Sequence, residues 1–187
     1  MSTRVHVPRR RRIFLGCEGE SEQAYGSLLQ TFAKENGCHI HLVITNLRPA
    51  GDALKLADRA VRLAQEERKN GRLTTKVIMI DDDWPSDQVE RTRQVQVLLR
   101  KNGFIIILQK PNHEGFLLRH FPRYKYKKPP SNLSERTLKR LWPEYRKGLT
   151  GNELAKQLTL EHIFRASKTQ PGLKSLLNSI GLATHQA

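Results

Sequence analysis

The chain has 187 residues, of which 37% are hydrophobic, and a formal net charge of +15 at pH 7. That length buries a sizeable core in one compact domain with decorations, and no apolar run approaches the length that crosses a bilayer. The basic N-terminus has no apolar stretch behind it long enough for a signal peptide, and two cysteines, Cys17 and Cys38, lack zinc-ligand spacing, so the expectation is a cytosolic protein with reduced thiols and no membrane contact.

Residues 1–12 carry five arginines and no acid, and residues 1–11 read as a flexible basic arm. The apolar run Ile13-Phe14-Leu15-Gly16-Cys17 predicts a strand over 12–17. It is followed by Glu18-Gly19-Glu20-Ser21-Glu22 and a helical pattern over 21–36 that stops at Asn36-Gly37. Glu20 and Glu22 face solvent at a helix start, where negative charge suits the dipole, although Glu22 can also reach the strand end from the first turn. A second strand falls at about 39–45, with His39 and His41 on one face as surface or core-edge residues. A helix over 51–69 buries Ala53, Leu54, Ala57, Ala60, Val61 and Ala64 and ends at Asn70-Gly71.

The run Val77-Ile78-Met79-Ile80 then leads into Asp81-Asp82-Asp83. Branched apolar residues in a short block read as a buried parallel strand, and ligands of such sheets bind beyond the carboxyl ends of the strands. Asp81 and Asp83, two apart on an extended chain, share one side. Their paired carboxylates suit Mg²⁺ or Mn²⁺. The plainer alternative is a helix start, with Asp82 or Asp83 as N-cap and Pro85 in the first turn. A helix through Val89, Val95, Val97, Leu98 and Leu99 closes at Asn102-Gly103. Phe104-Ile105-Ile106-Ile107-Leu108 predicts a fourth strand, fully buried.

Lys110-Pro111-Asn112-His113-Glu114 follows, with a helix from about Asn112 that holds Glu114 in its first turn at the same sheet edge. His113 and Glu114 offer a proton acceptor or a further ligand there, whereas His120 reads as a packed helix residue. After Pro129-Pro130 come helices at 132–147, 151–166 and 170–181, with Pro143 set to bend or split the first. Strand and helix alternate, which predicts an α/β fold: a parallel sheet of about four strands flanked by helices over 12–121, and a basic helical extension over 122–187 packed on it.

Residues 119–147 carry ten Lys/Arg against Glu135 and Glu144, while 13–118 is neutral. Phe121-Pro122-Arg123-Tyr124-Lys125-Tyr126-Lys127-Lys128 interleaves rings with cations, a pattern suited to stacking on bases and neutralising phosphates. Lys125, Lys127, Lys128, Arg136, Lys139 and Arg140 are the candidate backbone-gripping residues for DNA or RNA, against a solvated basic face or a dock for an acidic protein.

Apolar-Cys17-Glu18-Gly19-Glu20-x-Glu22, Gly51-Asp52 opening a helix, apolar-Asp81-Asp82-Asp83 and Pro111-x-x-Glu114-x-Phe116-Leu117-Leu118-x-His120-Phe121 together resemble the RloB-like family of the Toprim superfamily. The resemblance covers residues 12–121 and extends weakly to Ile163-Phe164-Arg165-Ala166. It departs from the family pattern at Lys110, His113, Gly115 and Phe116, and in the Trp84-Pro85 that follows the aspartates. What it implies is a Toprim-like sheet, a Mg²⁺ site of Glu18, Asp81 and Asp83, and a bacterial antiphage-defence setting with an ATPase partner. The expected activity is metal-dependent phosphodiester cleavage, with Glu18, Asp81, Asp83 and Glu114 catalytic and Glu18, Glu22, Asp81 and Asp83 holding Mg²⁺ or Mn²⁺. A non-catalytic binding subunit and a metal-dependent phosphatase or nucleotidyl transferase are the rival readings.

Overall fold

In the computed structural model, residues 9–49, 52–82, 89–127 and 129–182 are described. Strands β1 (Arg11–Cys17), β2 (Ile40–Asn46), β3 (Leu73–Asp81) and β4 (Phe104–Gln109) pair in parallel, in the order β2-β1-β3-β4. Helices α1 (Glu20–Glu35), α2 (Ala53–Glu67) and α3 (Val89–Lys101) connect them in sequence. The remaining α-helices among the described residues are α4 (His113–Leu118), α5 (Ser131–Leu141), α6 (Gly151–Ala155), α7 (Leu160–Ser167) and α8 (Pro171–Ile180). The predicted α/β class and four-stranded parallel sheet are what the chain adopts, and no described helix is long and apolar enough to cross a membrane.

Strand parity divides the core into two layers. Ile13, Leu15, Cys17, Val77, Met79 and Ile107 face α1 and the helices from α4 onward, while Phe14, Ile78 and Ile80 face α2 and α3. The C-terminal helices supply Leu138, Trp142, Leu154, Ile163, Leu173 and Leu177 to the first layer, so the extension is continuous with the core. Asp52 caps α2 by accepting the N–H groups of Leu54 and Lys55, each at 3.0 Å.

Three expectations need correction. The strand at β4 lies at the edge of the sheet, so Ile105, Ile106 and Leu108 are only partly buried. The helix expected over 132–147 ends at Leu141, because the residue before Pro143 is driven out of helical geometry: Trp142 has φ −137° and ψ 85°. The helix expected over 151–166 is two helices. Thr159 starts the second, its hydroxyl meeting His162 Nδ1 at 2.8 Å.

Helix α8 closes on the edge of β4 at unusually short range. A Cβ built on Gly172 would stand 2.2 Å from the Ile106 carbonyl oxygen and 2.9 Å from its carbon. Both partners are backbone and neither can rotate away. Gly172→Ala is expected to lower stability by about 1–3 kcal/mol, the usual range for overpacking, read as a lower urea midpoint at unchanged slope.

Candidate functional site

The connections run to β2 on one side of β1 and to β4 on the other side of β3, so a crevice opens where the carboxyl ends of β1 and β3 lie side by side. Cys17 is level with Met79, and Glu18 N–H donates to the Met79 carbonyl at 3.3 Å. The Glu18 carboxylate reaches across and accepts the Asp81 N–H at 3.0 Å. Glu18 and Asp81 are therefore brought together. Asp83 lies outside the described residues, as does Pro85. Asp82, which has the opposite parity to Asp81, pairs with Lys110 Nζ at 2.9 Å.

Glu22 does not face solvent: it is 5% exposed. Gly19 begins α1 in extended geometry, and the Glu22 side chain, three residues on, folds back to accept its N–H at 2.9 Å. The other Glu22 oxygen lies 3.2 Å from His113 Nδ1. Burial pushes the Glu22 carboxyl up, but the His113 contact and the Gly19 N–H outweigh it and hold the carboxyl below its ordinary value. Glu20 remains exposed, as expected.

A residue that sequence reading missed ties this cluster together. Gln109 ends β4 level with Asp81, and it is fully buried. With its amide oxygen accepting from His113 Nδ1 at 2.8 Å, its nitrogen donates to Asp81 Oδ1 at 2.8 Å and to Glu22 Oε1 at 2.9 Å. This orientation matches every donor to an acceptor. A neutral donor thus sits between two carboxylates that repel each other. The available signal was a polar residue closing an apolar strand at the same height as the aspartates.

Glu114 enters from α4. Asn112 caps that helix through the Gly115 N–H at 3.0 Å, and the turn packs so tightly that a Cβ on Gly115 would lie 2.4 Å from Pro111 Cδ. Glu114 is 4% exposed; Tyr145 Oη–H donates to it at 3.2 Å, and Lys147 Nζ stands 3.6 Å away. Lys147 also lies 3.7 Å from Glu135 on α5, and Arg48 lies 3.8 Å from the Glu18 carboxylate. Glu22, Asp81, His113 and Glu114 line a cleft of about 520 Å³, with Arg48 and Lys147 beside them. The burial of Tyr145, next to the Glu114 charge, keeps its hydroxyl protonated as a donor.

Among the described residues, the potential ligands lining this cleft are oxygens and one imidazole. That donor set suits Mg²⁺ or Mn²⁺ and does not suit a thiophilic metal. Cys17 is turned into the apolar layer, where burial, and then the Glu22 charge, push its thiol well above the usual range. Among the described residues no three His, Cys, Asp or Glu side chains already stand at ligating spacing, each carboxylate being engaged by a protein donor.

His120 is structural. It is fully buried, with Nδ1 3.1 Å from the Leu117 carbonyl and Nε2 2.8 Å from the Tyr25 hydroxyl. The basic residues divide between two places. Arg136, Lys139 and Arg140 are exposed along α5, with Lys139 held by Glu135 at 2.7 Å, and Lys147 joins that face to the acidic cleft. Lys125 and Lys127 lie in the segment before α5, and Lys128 is outside the described residues. Tyr126 is 76% exposed, with the Lys125 ammonium 4.7 Å from its ring centre, whereas Tyr124 packs against the core. His41 is exposed on β2, and His39, exposed as well, stands just before that strand.

No protein-family model matches this chain, no curated protein matches it, and no solved structure matches it.

Proposed function

We propose that the protein is a Mg²⁺- or Mn²⁺-dependent nuclease that cleaves phosphodiester bonds of DNA or RNA. The observation that carries this reading is the meeting of Glu18, Asp81, Glu22 and Glu114 at the crevice between β1 and β3, beside a cationic helix face. Asp81, Glu22 and Glu18, with Asp83 as the remaining ligand, would hold the divalent ion. When bound, that ion supplies charge stabilisation for the attacking and leaving oxygens.

The other roles belong to the chain. Gln109 fixes the Asp81 and Glu22 carboxylates in place through its amide. Glu114, held by Tyr145 and Lys147, is the group placed to take a proton from an attacking water. Arg136, Lys139 and Arg140 hold the phosphate backbone without reading sequence. The motif resemblance adds the setting we propose: an effector of bacterial antiphage defence that works beside an ATPase.

The engagement of each carboxylate by a protein donor favours one other reading, a nucleic-acid-binding or ATPase-docking subunit in which the acids are structural. The phosphatase reading is weaker, because its required lysine, Lys110, pairs with Asp82 and not with Asp81. Incubation with supercoiled plasmid, single-stranded DNA and transfer RNA separates the first two. Cleavage with Mg²⁺ or Mn²⁺ that EDTA abolishes is the expected result. Binding with no cleavage under either metal would leave the subunit reading.

A further inference from the structure

Parity sends the side chains of β4 to opposite sides of the sheet: Gln109 to the acidic cleft, Ile106 and Leu108 to the other side, where Lys110, just past the strand, joins them. Beside them, at the sheet edge between β4 and the start of α8, is a second pocket of about 380 Å³. Its floor is Ile106 and Leu108, and its polar lining includes Lys110, Arg119, Lys125, Thr169 and Gln170, with no acidic side chain among the described residues.

Arg119 is 4% exposed, and among the described residues no carboxylate pairs with it; its described hydrogen bond runs from Nη2 to the Lys110 carbonyl at 3.1 Å. A buried guanidinium carries five donors and a full charge, and without a counter-charge it is costly to bury. Gln170 is 6% exposed, and its Nε2 has no partner among the described residues. Gln170 stands at the N-terminus of the ten-residue helix α8 and makes no side-chain cap there. The first turn of that helix, with Gly172 in the pocket wall, presents its positive end to the same space. An uncompensated cation, an unpartnered amide donor and a helix N-terminus converge on one concavity.

We propose that this pocket binds a phosphate group, with Arg119, Gln170 and the start of α8 around the oxyanion and Lys125 at its side. The wall of Ile106 and Leu108 and the exposed ring of Tyr126 give an organic remainder, such as a nucleoside, an apolar surface to lie on. The pocket needs no divalent ion and stands apart from the nuclease reading.

The test is calorimetric titration of the full chain with inorganic phosphate and, separately, with 5′-AMP, in EDTA at fixed ionic strength set with chloride. Saturable binding is expected. Gln170→Glu is expected to weaken it about tenfold or more, replacing a donor by a like charge to the ligand. Lys125→Glu is expected to act in the same direction and serves if Gln170→Glu does not fold. Lys34→Glu, at the far end of α1, is expected to leave binding unchanged. Tighter binding of 5′-AMP than of phosphate assigns the pocket to a nucleotide or a strand end, and equal binding assigns it to phosphate alone. Absence of saturable binding by both, or equal weakening by Lys34→Glu, overturns the proposal.

Discussion

Asp81→Asn is expected to lower divalent-dependent cleavage by about a thousandfold or more, with little change in stability. The substitution keeps size and shape. The asparagine oxygen still accepts from the Gln109 amide, and the backbone N–H at position 81 still donates to Glu18. What is lost is the negative charge that faces the cleft next to Glu22. A carboxylate that serves only structure would be replaced at small cost, because the described hydrogen bonds survive. Asp82→Asn is the matched control: it weakens a half-exposed pair with Lys110 and is expected to change cleavage by no more than about twofold. Thermal unfolding supplies a second readout, since Mg²⁺ binding to the native state raises the midpoint of the parent and not of Asp81→Asn. Equal cleavage by parent and Asp81→Asn would remove the nuclease proposal.

The parts of this molecule that follow local rules were legible in the sequence. Branched apolar blocks marked β1, β3 and β4, and the acids that follow β1 and β3 fell at strand ends, so the proximity of Glu18 and Asp81 followed once the strands were neighbours. The parts set by tertiary contact were not. Glu22 looks like any acid in a first helical turn, and only the arrival of His113 from a segment ninety residues on gives it a reason to be buried. Gln109 carries no motif; its meaning comes from being level with Asp81 in the sheet. Lys147 and Tyr145 lie in a connection that sequence reading assigned to the end of a helix, and the early stop at Leu141 is what frees them to turn toward Glu114. Local pattern located the strand ends, and packing decided which polar side chains meet there.

A second large effect is expected on acidification, and it comes from the histidine that the cleft does not use. His120 is fully buried against Tyr25 and Phe116. Its Nδ1 faces two carbonyl oxygens, which only accept, so Nδ1 carries the proton and Nε2 accepts from the Tyr25 hydroxyl at 2.8 Å. Both ring nitrogens are satisfied in the neutral form. Burial lowers the pKa from its ordinary value to about 3, only partly opposed by the carbonyl contacts. The unfolded chain takes up a proton on this residue near pH 6.5 and the folded chain only near pH 3, so between these values unfolding binds a proton and stability falls as pH falls. Between pH 7 and pH 4.5 this residue alone is expected to remove about 2–3 kcal/mol. Glu22 adds a loss of the same sign at still lower pH, because its carboxyl is held below its ordinary value. The contribution of His120 is isolated by the double variant Tyr25→Phe, His120→Leu, which replaces both partners by apolar groups and strands neither. Urea unfolding at the two pH values should give the double variant the shallower dependence, by about 2–3 kcal/mol. Equal slopes in parent and variant would mean that His120 takes up its proton in the folded state at ordinary pH, and that the Tyr25 contact adjusts by turning its hydroxyl into the acceptor.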